Sequence, residues 1–163
     1  MTQGVSDLEF FESLPRTRGA ATALLRDEEG RTLLVKPTYK PGWSLPGGVI
    51  EMGESPLAAC RRECAEEIGF VPALSGLVCV DWLPRHSFPD GRPATIFVFA
   101  GAVSRDVLER VRLPAEELSA AVMATPAEVG RLLPEAMARR IGRCLQAATT
   151  LYLEDGREVS WEG

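Results

Sequence analysis

The sequence predicts a mixed α/β fold, and three observations carry the prediction. Short β-prone runs bounded by turn residues occupy 19–37, 72–83 and 95–103. A capped stretch with helical spacing, 55–69, separates the first pair of runs from the second. Two further helical patterns lie between Thr125 and Ala148. The order strands, helix, strands, helices fits a sandwich in which a mixed sheet lies between helix layers.

The chain has 163 residues, the size of one domain. A chain this long hides roughly two-thirds of its unfolded surface on folding. No apolar run approaches the roughly 18–20 residues of a membrane span. Met1 to Arg18 lacks the basic start and apolar run of a signal peptide, so a cytoplasmic location and no membrane partner are expected. The net charge of −5 argues against nucleic acid as the main partner, because phosphate contacts need a basic surface. It leaves open a phosphate substrate reached through metal ions. The excess of Arg (16) over Lys (2) is taken as compositional bias. Cys60, Cys64, Cys79 and Cys144 form no C-x-x-C pair and there is a single His, so zinc is not expected.

Residues 1–18 read as an arm with a short helix over Asp7 to Ser13. Its Leu8, Phe10, Phe11 and Leu14 are expected to dock on the chain's own body, with a second copy as the alternative. The main domain is placed at 19–150. It opens with a hairpin whose turn carries E-E-G, followed by a loop at 38–42 punctuated by Pro37 and Pro41. The run W-S-L-P-G-G then leads into a loop, a sharp turn and an acidic helix. Ser55 suits the N-cap, Pro56 the first helical position and Gly69 the left-handed stop. Leu57, Cys60, Cys64 and Ile68 form an inward stripe, which makes Cys60 and Cys64 small core residues. Glu63, Glu66 and Glu67 are neighbours at i, i+3 and i+4, expected on the opposite side.

Three like charges on one turn repel each other. The bland reading is a solvated face. The alternative is a divalent cation between them, since hard cations prefer carboxylate oxygens.

Beyond the helix, 72–83 and 95–103 read as paired strands joined by a ten-residue loop, 84–93. Residues 104–117 read as a charged linker or short helix, and Ser119 to Ala124 as a strand. Thr125-Pro126-Ala127-Glu128 is a capping box opening a helix that stops near Pro134. A second helix runs from Glu135 to about Ala148, with Met137, Ile141, Cys144 and Leu145 inward and Arg139, Arg140 and Arg143 on a solvated face. The tail, 151–163, reads as a small hairpin turning at Asp155-Gly156.

Gly48, Glu54, Arg62, Glu63, Glu66, Glu67 and Gly69, with Cys64 and Phe70 at the apolar places, match G-x5-E-x7-R-E-U-x-E-E-x-G-U. On these residues, and on the W-x-L-P-G-G run before them, the chain resembles the Nudix hydrolase family. All seven fixed positions are present; Cys64 is less usual at its place than an aliphatic residue. The resemblance implies a Nudix-type α/β/α sandwich with a central mixed sheet. It implies hydrolysis of a nucleoside diphosphate linked to another moiety, by water attack at phosphorus with Mg²⁺ or Mn²⁺ as cofactor. It implies Glu63, Glu66, Glu67 and the Gly48 carbonyl as metal ligands, and Arg62 with Glu54 as a supporting ion pair. The general base is left among Glu63, Glu66, Glu116 and Glu117, with the P-A-E-E-L run suiting Glu116 or Glu117.

The partner implied is a small nucleoside diphosphate derivative, and a homodimer is among the assemblies implied. ADP-ribose-like compounds and nucleoside triphosphates both stay open as substrates; Pro84, 15 residues after Gly69, is a weak match to an ADP-ribose marker. His86 is read as an exposed loop residue with substrate contact as the alternative. Trp43, Trp82 and Phe88 are read as core before base-stacking. Two other functions were weighed. A nucleotide-sensing module of this fold would commonly lack box glutamates, and here all are kept. A diphosphate isomerase would need more than one His.

Overall fold

The computed structural model describes residues 7–162 of the chain. Strands β1 (Arg18–Arg26) and β2 (Thr32–Pro37) form the expected hairpin, but they pair only at its closed end, Arg26 opposite Thr32. Beyond that point the two strands splay, and residues 44–49 enter the gap. Ser44 and Val35 exchange both backbone hydrogen bonds at 2.9 Å, and the Ala23 N–H donates to the Pro46 carbonyl at 2.8 Å. Strand β3 (Gly47–Val49) then pairs antiparallel with Ala20 to Thr22. The stretch read from sequence as loop is therefore partly strand. Strands that splay inside a fold leave backbone donors and acceptors that an inserted segment must satisfy.

Helix α2 (Pro56–Ile68) has the expected ends. The Ser55 side chain accepts from the Ala58 N–H, and Gly69, at φ 83°, donates its N–H to the Ala65 carbonyl. Strands β4 (Ala73–Leu83) and β5 (Ala94–Ala102) pair antiparallel, and β5 runs parallel to the whole of β1. Strand β6 (Leu118–Ala124) pairs antiparallel with β2. Helix α3 (Pro126–Leu132) carries both halves of the Thr125–Glu128 capping box, and α4 (Glu135–Gln146) follows. The expected C-terminal hairpin forms as β7 (Leu151–Glu154) and β8 (Arg157–Glu158), and β7 lies parallel to β4 in the main sheet. The sheet order is β6-β2-β1-β5-β4-β7-β8, with β3 on β1.

Period-two alternation sends neighbours on one strand to opposite faces. Ala21, Ala23, Leu25, Leu33 and Val35 pack with Cys60, Cys64 and Ile68 of α2. Leu24, Leu34, Cys79, Val98 and Leu153 pack on the other face with Val129, Ile141 and Cys144 of α3 and α4. The result is the mixed-sheet α/β/α sandwich.

Residues 104–117 form the expected linker, with one 3₁₀ turn, Val107–Glu109, that buries Val107. Two expectations are corrected. Arg140 does not belong to a solvated face: it is buried, and its Nε donates to Asp81 at 2.6 Å. Helix α1 (Asp7–Ser13) forms where expected but buries none of its residues; Leu8 is 67% and Phe11 64% exposed, so these side chains are not packed into the body as expected. Residues 1–6 of that arm lie outside the described residues. Among the described residues, no helix is long and apolar enough to cross a membrane.

Candidate active site

The site grows from the contact between β3 and α2. Gly47 sits at φ 139°, and a Cβ there would lie 2.3 Å from the Ala21 carbonyl oxygen. Gly48 faces the helix; a Cβ there would lie 2.5 Å from the Glu63 carboxyl carbon. Two glycines thus let the backbone pass β1 on one side and a carboxylate on the other. One turn further along α2, Glu67 accepts a hydrogen bond from the Gly47 N–H at 2.8 Å. Gly48, Glu63 and Glu67 are therefore together.

The three glutamates do not share one environment. Glu63 and Glu67 are half-buried, while the Glu66 side chain is 56% exposed. Helix geometry accounts for the difference. Glu67 lies seven residues after Cys60, which brings it back to within roughly 20° of that buried position. The expectation that all three oppose the inward stripe holds for Glu66 alone.

Electrostatics follow the burial. Desolvation, followed by the negative charges of Glu63 and Glu117, pushes the Glu67 carboxyl up to about 7, against the opposing pull of the Gly47 N–H and the charge of Lys40. Desolvation also raises Glu63, although Arg62 works against it.

Arg62 joins the remaining parts. Its Nε and Nη2 hold Glu54 at 2.7 and 3.0 Å, and Nη2 also donates to the Val49 carbonyl at 3.1 Å. Its Nη1 donates to Glu63 at 2.9 Å and Glu66 at 3.1 Å. Glu54 accepts in addition from the Glu51 N–H at 3.0 Å, closing the turn before the helix. The Arg62 hydrogen bonds hold Glu54 down at about 2. The expected Arg62–Glu54 pair is present, and it ties loop, strand and helix together.

Among the described residues, no group of three His, Cys, Asp or Glu side chains is arranged to hold a metal ion. Glu66 and one oxygen of Glu63 point to Arg62, while Glu67 faces the Gly47 N–H. The donor chemistry nonetheless fits a hard divalent cation. Glu63 and Glu67 are carboxylates pressed against peptide backbone, and among the described residues Glu67 has no ion-pair partner.

Glu117 lies in the turn before β6, exposed, with its charge felt at Glu67. Glu116 lies beside it and accepts at its carbonyl from the Thr38 hydroxyl at 2.8 Å. His86 is exposed in a 3₁₀ turn, Arg85–Ser87, and belongs to no group with the box carboxylates. Trp43 packs against the α3/α4 face of the core; Trp82 is 38% exposed; Phe88 sits under the Arg18 guanidinium. A cleft of about 650 Å³ is lined by Arg26, Phe70 and Arg110 and contains none of the box carboxylates. Two residues not expected at the site are in electrostatic reach of it: the charge of Lys40 lowers Glu67, and the Tyr39 phenol is raised by burial and by the charges of Glu67, Glu117 and Glu63. The signal available for them was their place in a proline-bounded loop just before the glycine run.

Comparison with known proteins agrees with this geometry. A family model described as the NUDIX domain matches residues 16–147. A Bacillus subtilis (strain 168) protein, provisionally named an 8-oxo-dGTP diphosphatase, is 41% identical over 69 residues, covering 42% of this chain and 46% of that protein. An RNA pyrophosphohydrolase of Psychrobacter cryohalolentis is 37% identical over 68 residues, covering 40% of this chain and 39% of that one. The chain thus spans less than half the length of these curated relatives. A crystal structure of a MutT NUDIX hydrolase from Burkholderia pseudomallei superposes with a TM-score of 0.64 at 24% identity, covering 82% of this chain and 99% of that one. At that identity the likeness is one of fold.

Proposed function

Because the chain belongs to the Nudix family, we propose that it is a metal-dependent pyrophosphohydrolase acting on a nucleoside diphosphate linked to another moiety. The observation that carries this reading is the seating of Glu63 and Glu67 against the Gly47–Gly48 backbone, with no ion pair to Glu67 among the described residues. A stable helix has no need of that arrangement, whereas an anionic substrate arriving with Mg²⁺ or Mn²⁺ does.

Glu63, Glu67 and the Gly48 carbonyl would hold the metal, with Glu66 joining from the exposed side. Such an ion neutralises phosphate charge and lowers the pKa of a bound water. The protein's own part is positioning. Arg62 keeps Glu54, Val49, Glu63 and Glu66 in one frame, so it is a positioning residue. In the reaction a water oxygen bonds to phosphorus, the bridging P–O bond breaks, and each phosphate leaves on its own product. The water's proton passes to a carboxylate. The charge coupling of Glu117 to Glu67, from outside the helix, supports Glu117 as that acceptor.

The test is chromatographic separation of the two phosphate-bearing cleavage products from ADP-ribose, NADH, diadenosine polyphosphates, and canonical and oxidised nucleoside triphosphates, with Mg²⁺ or Mn²⁺. Turnover of one class, reduced on the order of a hundredfold to a thousandfold in Glu67→Gln, is the expected outcome. Equal inertness of wild type and variant, with nucleotide still bound, would replace this reading by a sensing module.

A further inference from the structure

The cleft of about 650 Å³ lies at the far end of β1 from the box carboxylates. Gly48 pairs with Ala21, whereas the cleft is built on Arg26, the last residue of that strand and about 16 Å further along it. Its walls are tied down. The Val103 N–H donates to the Arg26 carbonyl at 3.0 Å, and the Arg112 N–H donates to the Ile68 carbonyl at 3.0 Å. Between these two bonds Val107 is fully buried in the core shared with Ile68, so the segment 103–112 is packed across the C-terminal end of α2.

Phe70, Pro72 and Val103 give the cleft an apolar lining, and Arg26 and Arg110 stand beside it. The Arg110 guanidinium lies over the Phe70 ring, 4.6 Å from its centroid. The Arg26 Nη2 is 3.2 Å from where a Gly30 Cβ would be, beside the β1–β2 turn. Among the described residues neither guanidinium has a carboxylate within ion-pair distance. The acids nearby are engaged elsewhere. Asp27 is buried and accepts from the Glu29 and Arg31 N–H groups and from the Arg31 Nε at 2.7 Å. Glu29 is paired with Arg105 at 2.7 Å. Asp106 feels the charge of Arg110 without pairing with it. Of the acids lining the cleft, the exposed Glu28 is the one left without a cation among the described residues.

On a chain of net charge −5, guanidiniums gathered at one apolar cleft without counter-charge form a local attractor for anions. A guanidinium fork matches the oxygens of carboxylate and of phosphate, and a phosphate has oxygens enough to meet two forks. The volume is within the range of small-molecule pockets, roughly 300–1,000 Å³.

We propose that this cleft is a second binding site, for a small organic phosphate, in which Arg26 and Arg110 hold the phosphate and Phe70, Pro72 and Val103 receive the apolar part of the molecule. Glu28 opposes binding. The site needs neither a metal ion nor the box carboxylates, so it stands apart from the hydrolase reading.

The experiment uses the full chain with a chelator and adenosine monophosphate as the probe, which has no diphosphate bond to cleave. Assigned amide resonances are followed during the titration. The amides of Phe70, Ala73, Val103 and Ser104 should move saturably, and those of Gly47 and Gly48 should stay in place. Arg26→Ala and Arg110→Ala should each weaken the probe roughly tenfold, with melting temperatures checked so that a loosened fold is recognised. Glu28→Gln should tighten it roughly twofold to fivefold. Adenosine and inorganic phosphate, titrated separately, should each bind more weakly than the monophosphate. The inference is overturned if no saturable shift occurs at the cleft amides, if the shifts fall at Gly47 and Gly48 instead, if the two arginine variants bind as wild type does, or if adenosine binds as tightly as its monophosphate. Turnover of the substrate panel with Mg²⁺ judges the hydrolase reading separately.

Discussion

Helices α2 and α4 lie on opposite faces of one sheet, and each carries a cluster of like charges. On α4 the charges are Arg139, Arg140 and Arg143, and each has at least one acid within ion-pair distance. Arg140 pairs with buried Asp81 at 2.6 Å, Arg139 with Asp155 at 3.1 Å, and Arg143 with Glu158 at 3.8 Å. The cluster fastens the C-terminal hairpin to the body, and Asp81 also accepts from the Gly156 N–H at 3.0 Å. On α2 a single guanidinium serves Glu54, Glu63 and Glu66, and Glu67 is left with one backbone N–H. A charge cluster whose members all meet counter-charges is structural. A cluster with charge left over, held at a backbone with no room for side chains, points to a ligand.

The contrast can be broken at four points. The largest effect is expected at Arg140. Arg140→Ala strands the buried Asp81 carboxylate and should destabilise the fold by about 3–5 kcal/mol, a fall in Tm of roughly 10 °C. Pairing Arg140→Met with Asp81→Asn should recover much of that loss, because the amide oxygen still accepts from Gly156 and no charge is stranded. Thermal unfolding of the three chains decides this.

On α2 the corresponding change should stabilise. Glu67 ionises at about 7 in the folded chain against 4.5 ordinarily. Below pH 4.5 it is protonated in both states and has no effect. As pH rises from 4.5 through 7 the unfolded state loses the proton first, so the metal-free fold loses stability. Glu67→Gln should remove that loss, a gain of about 2–3 kcal/mol at pH 8. Urea midpoints with a chelator, at pH 5 and pH 8, test it; a variant less stable than wild type at pH 8 would contradict the comparison.

Glu54 behaves in the opposite sense. Held at about 2 by Arg62, it contributes stability that is complete above pH 4.5 and disappears as pH falls through 2. Glu54→Gln should flatten the acid limb of unfolding over that window and leave the limb above pH 5 unchanged, measured by the same urea series against pH.

The smallest effect is expected at Arg143, whose side chain is half exposed and whose acid is 3.8 Å away. Arg143→Ala should change stability by no more than about 0.5 kcal/mol. A larger change would mean that all three arginines share the fastening.

Much of this was legible from local sequence. The Ser55 and Gly69 caps, the Thr125–Glu128 capping box and the hairpin pairings appear where spacing placed them, and the Arg62–Glu54 pair where the family resemblance implied it. The position of Glu67 was legible too, had the seven-residue return to Cys60 been counted. Arg140 was not. Its partner is 59 residues away, and nothing on α4 marks it as different from Arg139 or Arg143. Strand β3 was equally hidden, since it exists because β1 and β2 splay.

The sequence by itself determined the α/β class, the ends of the helices and the run of glycine, arginine and glutamate residues from which the candidate site is built. These depend on backbone preferences and on spacing along the chain, where neighbours in the chain are neighbours in space. Tertiary structure alone decided which charges are matched and which are left over, which helix leaves its apolar side chains exposed, and which glutamates sit against the Gly47–Gly48 backbone. Those outcomes depend on desolvation and on partners brought from distant parts of the chain, and a charged side chain acquires its meaning only once that surrounding is built.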